Sequence, residues 1–186
     1  MHRFQLLLLA LSPHFSSGFI GLGTLPGRVS YSIARYPPER KRYVRSGKKI
    51  HTYLYVSRAL HNAVRVWSKA MPGKFFSASG DTTIKVKFYS REHGDDYSFD
   101  GQGGEVAHTF FPAELRKGEI HVDADEPWGP RGRNLEWVLA HEIGHALGLP
   151  HIPSPSLMAE DYQGFYEKRP KLHKNDLIEL RELYDL

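Results

Sequence analysis

From Val29 to Ile33 the chain alternates apolar and polar side chains, with Val29, Tyr31 and Ile33 set against Ser30 and Ser32. A period of two predicts a half-buried strand, and Tyr36-Pro37-Pro38 ends it. From about Ser57 to Lys69 the period changes. Leu60, Val64 and Trp67 recur at helical spacing, Ser57 is a candidate cap, and Met71-Pro72-Gly73 closes the helix. Thr83 to Phe88 alternates again, with Ile84, Val86 and Phe88 facing inward and Lys85 and Lys87 outward. Residues 93–105 are rich in glycine and acids and read as loop. Short strands come next, at Val106–Phe111 and Glu119–Val122. Asn134 is placed to cap a helix that runs through His145 and stops at Gly148. Asn175 is placed to cap a last helix, with Leu177, Leu180 and Tyr184 on its apolar side. No internal repeat interrupts this order. It predicts an α/β (α+β) fold: a twisted mixed sheet packed by a first helix, a central helix and a C-terminal helix.

Composition narrows the class. A chain of 186 residues with 40% apolar and 12% aromatic side chains suits one globular domain. No apolar run is long enough to span a bilayer. The segment Met1 to Leu11 has a short basic start and a leucine-rich core, and Ser16, Ser17 and Gly18 come after it. Residues 1–25 thus read as a signal-like segment and 26–186 as the working domain, which implies secretion. There is no cysteine, so neither disulfides nor a thiolate metal site are available. The net charge of +4 is unevenly spread. Nine Lys or Arg lie between Arg28 and Arg58, with Glu39 the one acid among them. Such a strip suits a sulfated polysaccharide, an acidic partner, or simply a solvated loop. Nothing in the pattern suggests nucleic-acid readout.

The chemistry concentrates at His141-Glu142-Ile143-Gly144-His145-Ala146-Leu147-Gly148-Leu149-Pro150-His151. This is a complete H-E-x-x-H-x-x-G-x-x-H signature. His141 and His145, four apart on a helix, share one face and can share one metal. Gly148 accepts the backbone turn that brings His151 round as third ligand. Three imidazoles leave the fourth position of a tetrahedral zinc open, which marks a catalytic rather than structural site. In such a site zinc acidifies a bound water, and Glu142 takes its proton and passes it to the leaving amine. With this chain's own residue frequencies the five fixed positions arise by accident in on the order of 10⁻⁴ of such chains. Seven residues past His151 comes Met158. Methionine is often core filler, but here it falls where metzincin zinc peptidases place a methionine turn.

Taken with these motifs, the chain resembles the catalytic domain of the matrix metalloproteinases, over roughly residues 29–186. Arg91 to Gly104 looks like that family's metal-binding loop, and Ala107-His108 and Ile120 to Glu126 match the family's segments downstream of that loop. The resemblance implies a second, structural zinc on His93, Asp95, His108 and His121, a closed four-ligand set. It also implies a calcium ion held by the side chains of Asp100, Asp123 and Glu126 and backbone carbonyls of Gly101, Gly103 and Glu105. Read without the family, the same acids are equally a solvated loop. The resemblance further puts Val106 and Ala107 on an edge strand that pairs with extended substrate. It places Trp137 at the floor of the main specificity pocket, where it otherwise reads as a core tryptophan, and Tyr162 at the pocket wall. The implied activity is a zinc metalloendopeptidase that cuts extended segments of extracellular proteins, acts as a monomer, and is open to protein inhibitors of metalloproteinases.

The chain also departs from the family. Glu160 stands where the pocket wall usually has proline. The link from His151 to Met158 is one residue short. Asn175 replaces a common acid, though Asp176 beside it is kept. Arg40 to Lys49 looks inserted, and neither a cysteine-switch propeptide nor a hemopexin-like propeller is recognisable. These departures motivate an alternative, a weak or inactive binding module on the same fold.

Overall fold

The computed structural model describes residues 22–38, 43–45, 48–50, 52–129, 132–160 and 169–186. Ten elements succeed one another: β1 (Val29–Arg35), β2 (Tyr43–Arg45), β3 (Lys48–Ile50), α1 (Thr52–Ser68), β4 (Phe75–Ser77), β5 (Ile84–Tyr89), β6 (Ala107–Thr109), β7 (Glu119–Asp123), α2 (Leu135–Ala146) and α3 (Lys174–Tyr184). β4, β1, β5, β7 and β6 form one sheet in that order. All neighbours are parallel except β6, which runs antiparallel to β7 and forms an edge. β2 and β3 make a separate antiparallel hairpin.

β5 follows its expected alternation: Ile84, Val86 and Phe88 are fully buried, Lys85 and Lys87 half-buried. Lys87 reaches Glu119 on β7 at 2.7 Å. α1 buries Val56, Ala59, Leu60, Ala63, Val64 and Trp67, one stripe at helical spacing. That stripe packs on α2, and Trp67 Nε1 donates to the carbonyl of Ala140 at 2.7 Å. Burial of each such large apolar side chain contributes about 1.5–3 kcal/mol.

β1, β5 and β7 differ from expectation by one or two residues at their ends, and three other elements differ more tellingly. α1 begins at Thr52, so Ser57 sits inside the helix, where its hydroxyl meets Tyr36 Oη at 2.9 Å. Propensity allowed the earlier start because Thr52 to Tyr55 includes no breaker. α3 is capped by His173, not Asn175; Asp176 at the third helical position accepts from the His173 backbone N–H. The strand expected at Val106–Phe111 is regular over Ala107–Thr109, with Val106 and Phe110 still bonded through their backbones to Asp123, and to Gly118 and Glu119. The hairpin β2–β3 lies in the basic stretch, where no strand was legible. Leu22 and Leu25, ahead of the residue-26 boundary, join the packed domain. Leu22 accepts from Ala113 N, and Leu25 is buried with its N–H donated to Tyr184 Oη. Among the described residues no helix is long and apolar enough to cross a membrane.

Candidate metal centres and active site

α2 starts as expected: Asn134 Oδ1 accepts the backbone N–H of Trp137 at 3.2 Å. Its last helical residue is Ala146, Leu147 caps it, and Gly148 adopts φ 104°. A side chain at Gly148 would lie 2.2 Å from the carbonyl oxygen of Gly23, so only glycine lets the chain turn there. The turn swings His151 to the two helical histidines. One nitrogen from each of His141, His145 and His151 lies within 4.8 Å of the others.

Hydrogen bonding fixes which nitrogens these are. His141 Nδ1 donates to the Leu157 carbonyl at 2.8 Å, and His145 Nδ1 donates to the Leu149 carbonyl at 2.7 Å. A neutral imidazole has a single N–H, so both Nε2 atoms carry lone pairs. They face each other at 3.0 Å with no proton between them. His151 Nε2 is buried and has no hydrogen-bond partner. Protonation does not relieve this crowding. Burial, then the neighbouring His151, lowers His141 to about 3. Burial, with the adjacent histidines second, takes His145 well below its ordinary value, and burial lowers His151. Two facing lone pairs and the unpartnered His151 Nε2, on rings that resist protons, fit a borderline divalent cation such as zinc.

Glu142 is fully buried beside this cluster. Its Oε2 accepts the Thr109 hydroxyl at 2.6 Å, while Oε1 has no hydrogen-bond partner. Burial raises its pKa to about 7, with the Thr109 hydrogen bond opposing. A carboxyl poised near neutrality with one free oxygen is suited to receive and return a proton.

The floor beneath is tightly built. Gly144 lies inside the signature, and a Cβ there would fall 2.2 Å from Met158 Sδ and 2.8 Å from Trp67 Cζ2. Met158, fully buried, therefore packs directly on the helix backbone between the two ligands. The Met158 turn also holds a ligand through the Leu157 carbonyl on His141. Asp176, fully buried on α3, secures that turn by accepting from Ser156 Oγ and from the backbone N–H groups of Leu157 (2.9 Å) and Met158 (3.2 Å). Trp137 stacks on the His141 ring at 5.6 Å, 18° from parallel. Val106 and Ala107 are buried where β6 begins, at the sheet edge. Tyr162 lies outside the described residues.

A second cluster brings together His93, Asp95, His108 and His121. Asp95 Oδ2 lies 3.0 Å from His93 Nε2, 3.2 Å from His108 Nε2 and 2.7 Å from His121 Nδ1. Each ring has spent its N–H elsewhere: His93 Nδ1 on the Arg91 carbonyl (2.7 Å), His108 Nδ1 on Glu105 (3.1 Å), His121 Nε2 on Glu119 (3.2 Å). Carbonyl or carboxylate partners behind each imidazole are the usual second layer of a metal site. Burial, then the His108 charge, lowers His121 to about 4; burial also opposes charge on His108, but Glu105 and Asp95 outweigh it and raise it. The cluster thus seeks one positive charge at its centre, and four donors fit a closed zinc site.

The third expected group is less compact. Glu126, fully buried, accepts the Gly103 N–H at 2.7 Å and pairs with Arg133 Nε at 2.5 Å. The Asp100 carboxylate lies over Gly104, where any Cβ would fall 1.7 Å from its Oδ2. Asp123 Oδ1 accepts from Asp125 N at 2.7 Å. Among the described residues, the three carboxylates do not gather within 4.8 Å of one another as the two histidine clusters do. Glu105, expected to offer a backbone oxygen here, turns its side chain to His108.

Sequence reasoning missed Thr109, Glu119 and the bracing role of Asp176. Thr109 had a faint signal, standing one residue past His108 on an expected strand. The other two became visible only when distant segments met.

A helix bearing two histidines, a third on the turn after it and a methionine packed beneath define the metzincin class of zinc-peptidase fold. Comparison narrows that class. The Matrixin family profile matches residues 28–185, and the chain belongs to that family. It is 36% identical over 162 residues to human matrix metalloproteinase-20, covering 84% of this chain and 31% of that protein. It is 35% identical over 172 residues to the macrophage metalloelastase of Oryctolagus cuniculus, covering 87% and 35%. Against human neutrophil collagenase the figures are 38% over 135 residues, 70% and 29%. The matched region thus spans about a third of each relative's length.

Proposed function

We propose that this chain is a zinc-dependent metalloendopeptidase that cuts extended segments of extracellular, matrix-type proteins. One observation carries the reading: one nitrogen from each of three histidines converges, the facing Nε2 atoms of His141 and His145 carry no proton, and Glu142, next to His141 in the chain, keeps Oε1 without a hydrogen-bond partner. His141, His145 and His151 would hold the catalytic zinc; His93, Asp95, His108 and His121 a structural one. Asp100, Asp123 and Glu126 with the Gly101–Glu105 backbone would hold calcium, supported by the way Asp100 and Glu126 both close on the glycine loop. When bound, catalytic zinc supplies Lewis acidity toward water and the scissile carbonyl. The chain does the rest. The β6 edge pairs with an extended peptide through backbone groups near Ala107, and Trp137 limits the depth available to a side chain. Glu142 accepts a proton at Oε1 and returns it to the departing amine. Thr109 holds the other oxygen still. The names of the relatives, a metalloelastase and a collagenase among them, support protein substrates of the extracellular matrix; a secreted location, and protein inhibitors of metalloproteinases as partners, complete the same proposal.

Glu142→Gln keeps the hydrogen-bonding shape but cannot take a proton. We expect two zinc ions per chain before and after the change, with cleavage of a quenched peptide reduced about 10²–10⁴-fold. Wild-type cleavage by the variant would sink the mechanism. Zinc in both clusters with no cleavage by the unaltered chain would favour a binding module.

A further inference from the structure

Between α1, the segment from Pro170 to Leu172 and α3 lies a cavity of about 410 Å³. It shares no residue with either histidine cluster or with the Met158 turn. Its two helical walls repeat one pattern. Val66, Lys69 and Ala70 are spaced i, i+3, i+4, and Leu177, Leu180 and Arg181 on α3 are spaced in the same way. Positions so spaced share one side of a helix. α1 ends at Ser68, but the Met71 N–H still reaches the Trp67 carbonyl four residues back at 3.0 Å, so the spacing holds through Ala70. Each wall thus brings two apolar side chains and one cation, and Lys171 beside Leu172 adds a third cation.

Those charges have no partner among the described residues. Lys69, Lys171 and Arg181 are exposed, none of the described lining residues is acidic, and no described carboxylate pairs with any of the three. The apolar walls are open as well. Val66, Ala70, Leu172 and Leu177 are half-buried, over a floor formed by the buried Leu180. Like charges gathered at the mouth of a low-dielectric recess repel one another and focus a positive field into it. An anion at the mouth relieves that repulsion, and an apolar body behind it covers the walls.

We propose that this cavity binds a small amphiphilic anion: a fatty-acid-like carboxylate with its head among the three cations and its tail on the leucines. The volume falls in the range of about 300–1,000 Å³ usual for small-ligand sites. A bare inorganic anion would leave the apolar walls uncovered. A nucleotide base needs an aromatic platform, and no described lining residue is aromatic. An extended peptide needs an open strand edge, whereas the walls at Val66 and at Leu177 to Arg181 are helical, with their backbone groups already spent. A membrane surface needs protruding apolar groups, and the described exposed ones, such as Ile178 and Leu186, do not line the cavity. The site stands apart from peptide cleavage and does not depend on that reading.

The test titrates the whole zinc-loaded chain with decanoate at about 0.15 M ionic strength, read by calorimetry and by methyl NMR shifts. The expected result is saturable binding with shifts centred on Val66, Leu172, Leu177 and Leu180. Octanoate should bind up to about ten-fold more weakly, because each buried methylene is worth about four-fold in affinity. Decanol keeps the tail without the charge and should bind at least about ten-fold more weakly than decanoate. Lys171→Gln combined with Arg181→Gln should weaken decanoate by a similar factor and leave decanol unchanged. Both side chains are exposed, so the variant should keep the wild-type melting temperature. No saturable binding would overturn the proposal, as would shifts confined to the histidine clusters or equal affinity of the double variant. Sulfate that competes as well as decanoate would overturn the choice of an amphiphile.

Discussion

Thr109 and Glu142 come from segments 33 residues apart, yet their side chains meet at 2.6 Å inside the protein. The hydroxyl satisfies one carboxylate oxygen and leaves the other for chemistry. Thr109→Val keeps the shape but removes the donor, leaving a buried acceptor unmet. Hydrogen bonds to charged groups contribute about 1.5–3 kcal/mol, so kcat should fall roughly ten- to a hundred-fold while KM holds. Thr109→Ser should restore most of it, and zinc content should be the same in all three proteins. A change confined to KM, or a valine variant with full kcat, would remove Thr109 from the mechanism. At this scale only the signature histidines were legible from spacing; the candidate ligands of the second cluster came from the resemblance to the family. His141, His145 and His151 needed only the helix period and a glycine stop. Thr109 was not legible, because a strand pattern says which face a residue takes but not what approaches it.

At the scale of elements, α3 matters for what its first turn holds. Asp176 accepts four protein donors: Ser156 Oγ, the N–H groups of Leu157 and Met158, and that of His173. The Leu157 carbonyl in turn fixes His141 Nδ1. The last helix thus braces His141 through one buried carboxylate. Asp176→Asn would turn an amide N–H₂ toward groups that are themselves donors. We expect a loss of about 1.5–3 kcal/mol in urea unfolding, together with faster zinc release to a chelator. Unchanged unfolding and release would mean that the Met158 turn stands without α3. The sequence placed this helix and its apolar side but pointed to the wrong cap. Asn175 has the commoner capping chemistry, whereas the choice of His173 depended on Asp176 folding back on it.

For the whole molecule, two clusters of buried histidines set the response to acid. Without metal, His121, His141, His145 and His151 have folded-state pKa values below the ordinary value, the first two near 4 and 3. Unfolded histidine takes a proton near about 6.5. Below that pH the unfolded chain therefore gains protons first, and stability falls as pH drops toward 3. His108 and Glu142, both raised, act in the opposite sense: each favours the folded state while protonated and loses that contribution as pH rises through its folded value. Four groups outnumber two. In chelator, the melting temperature should fall steadily from about pH 6.5 to 4, and zinc should hold it up until the ligands protonate. A flat or rising profile in chelator would show that the burial of these rings is not what controls acid stability.

What the sequence determined by itself was periodic or tightly local: the β1 and β5 alternation, the course of α2, and the signature with its turn glycine and three histidines. Those depend on backbone geometry repeating every two or 3.6 residues, which any stretch of chain displays without its neighbours. Tertiary structure alone decided what depends on distant segments converging. It put the Thr109 hydroxyl on Glu142, Asp176 under the Met158 turn, and Glu105 and Glu119 behind the second cluster. It also required glycine at position 144, because Met158 and Trp67 fill the space a Cβ would take. The physical reason is common to all of these. A side chain's role here is set by which lone pair, donor or ring packing brings within about 3–4 Å, and sequence separation carries no record of that.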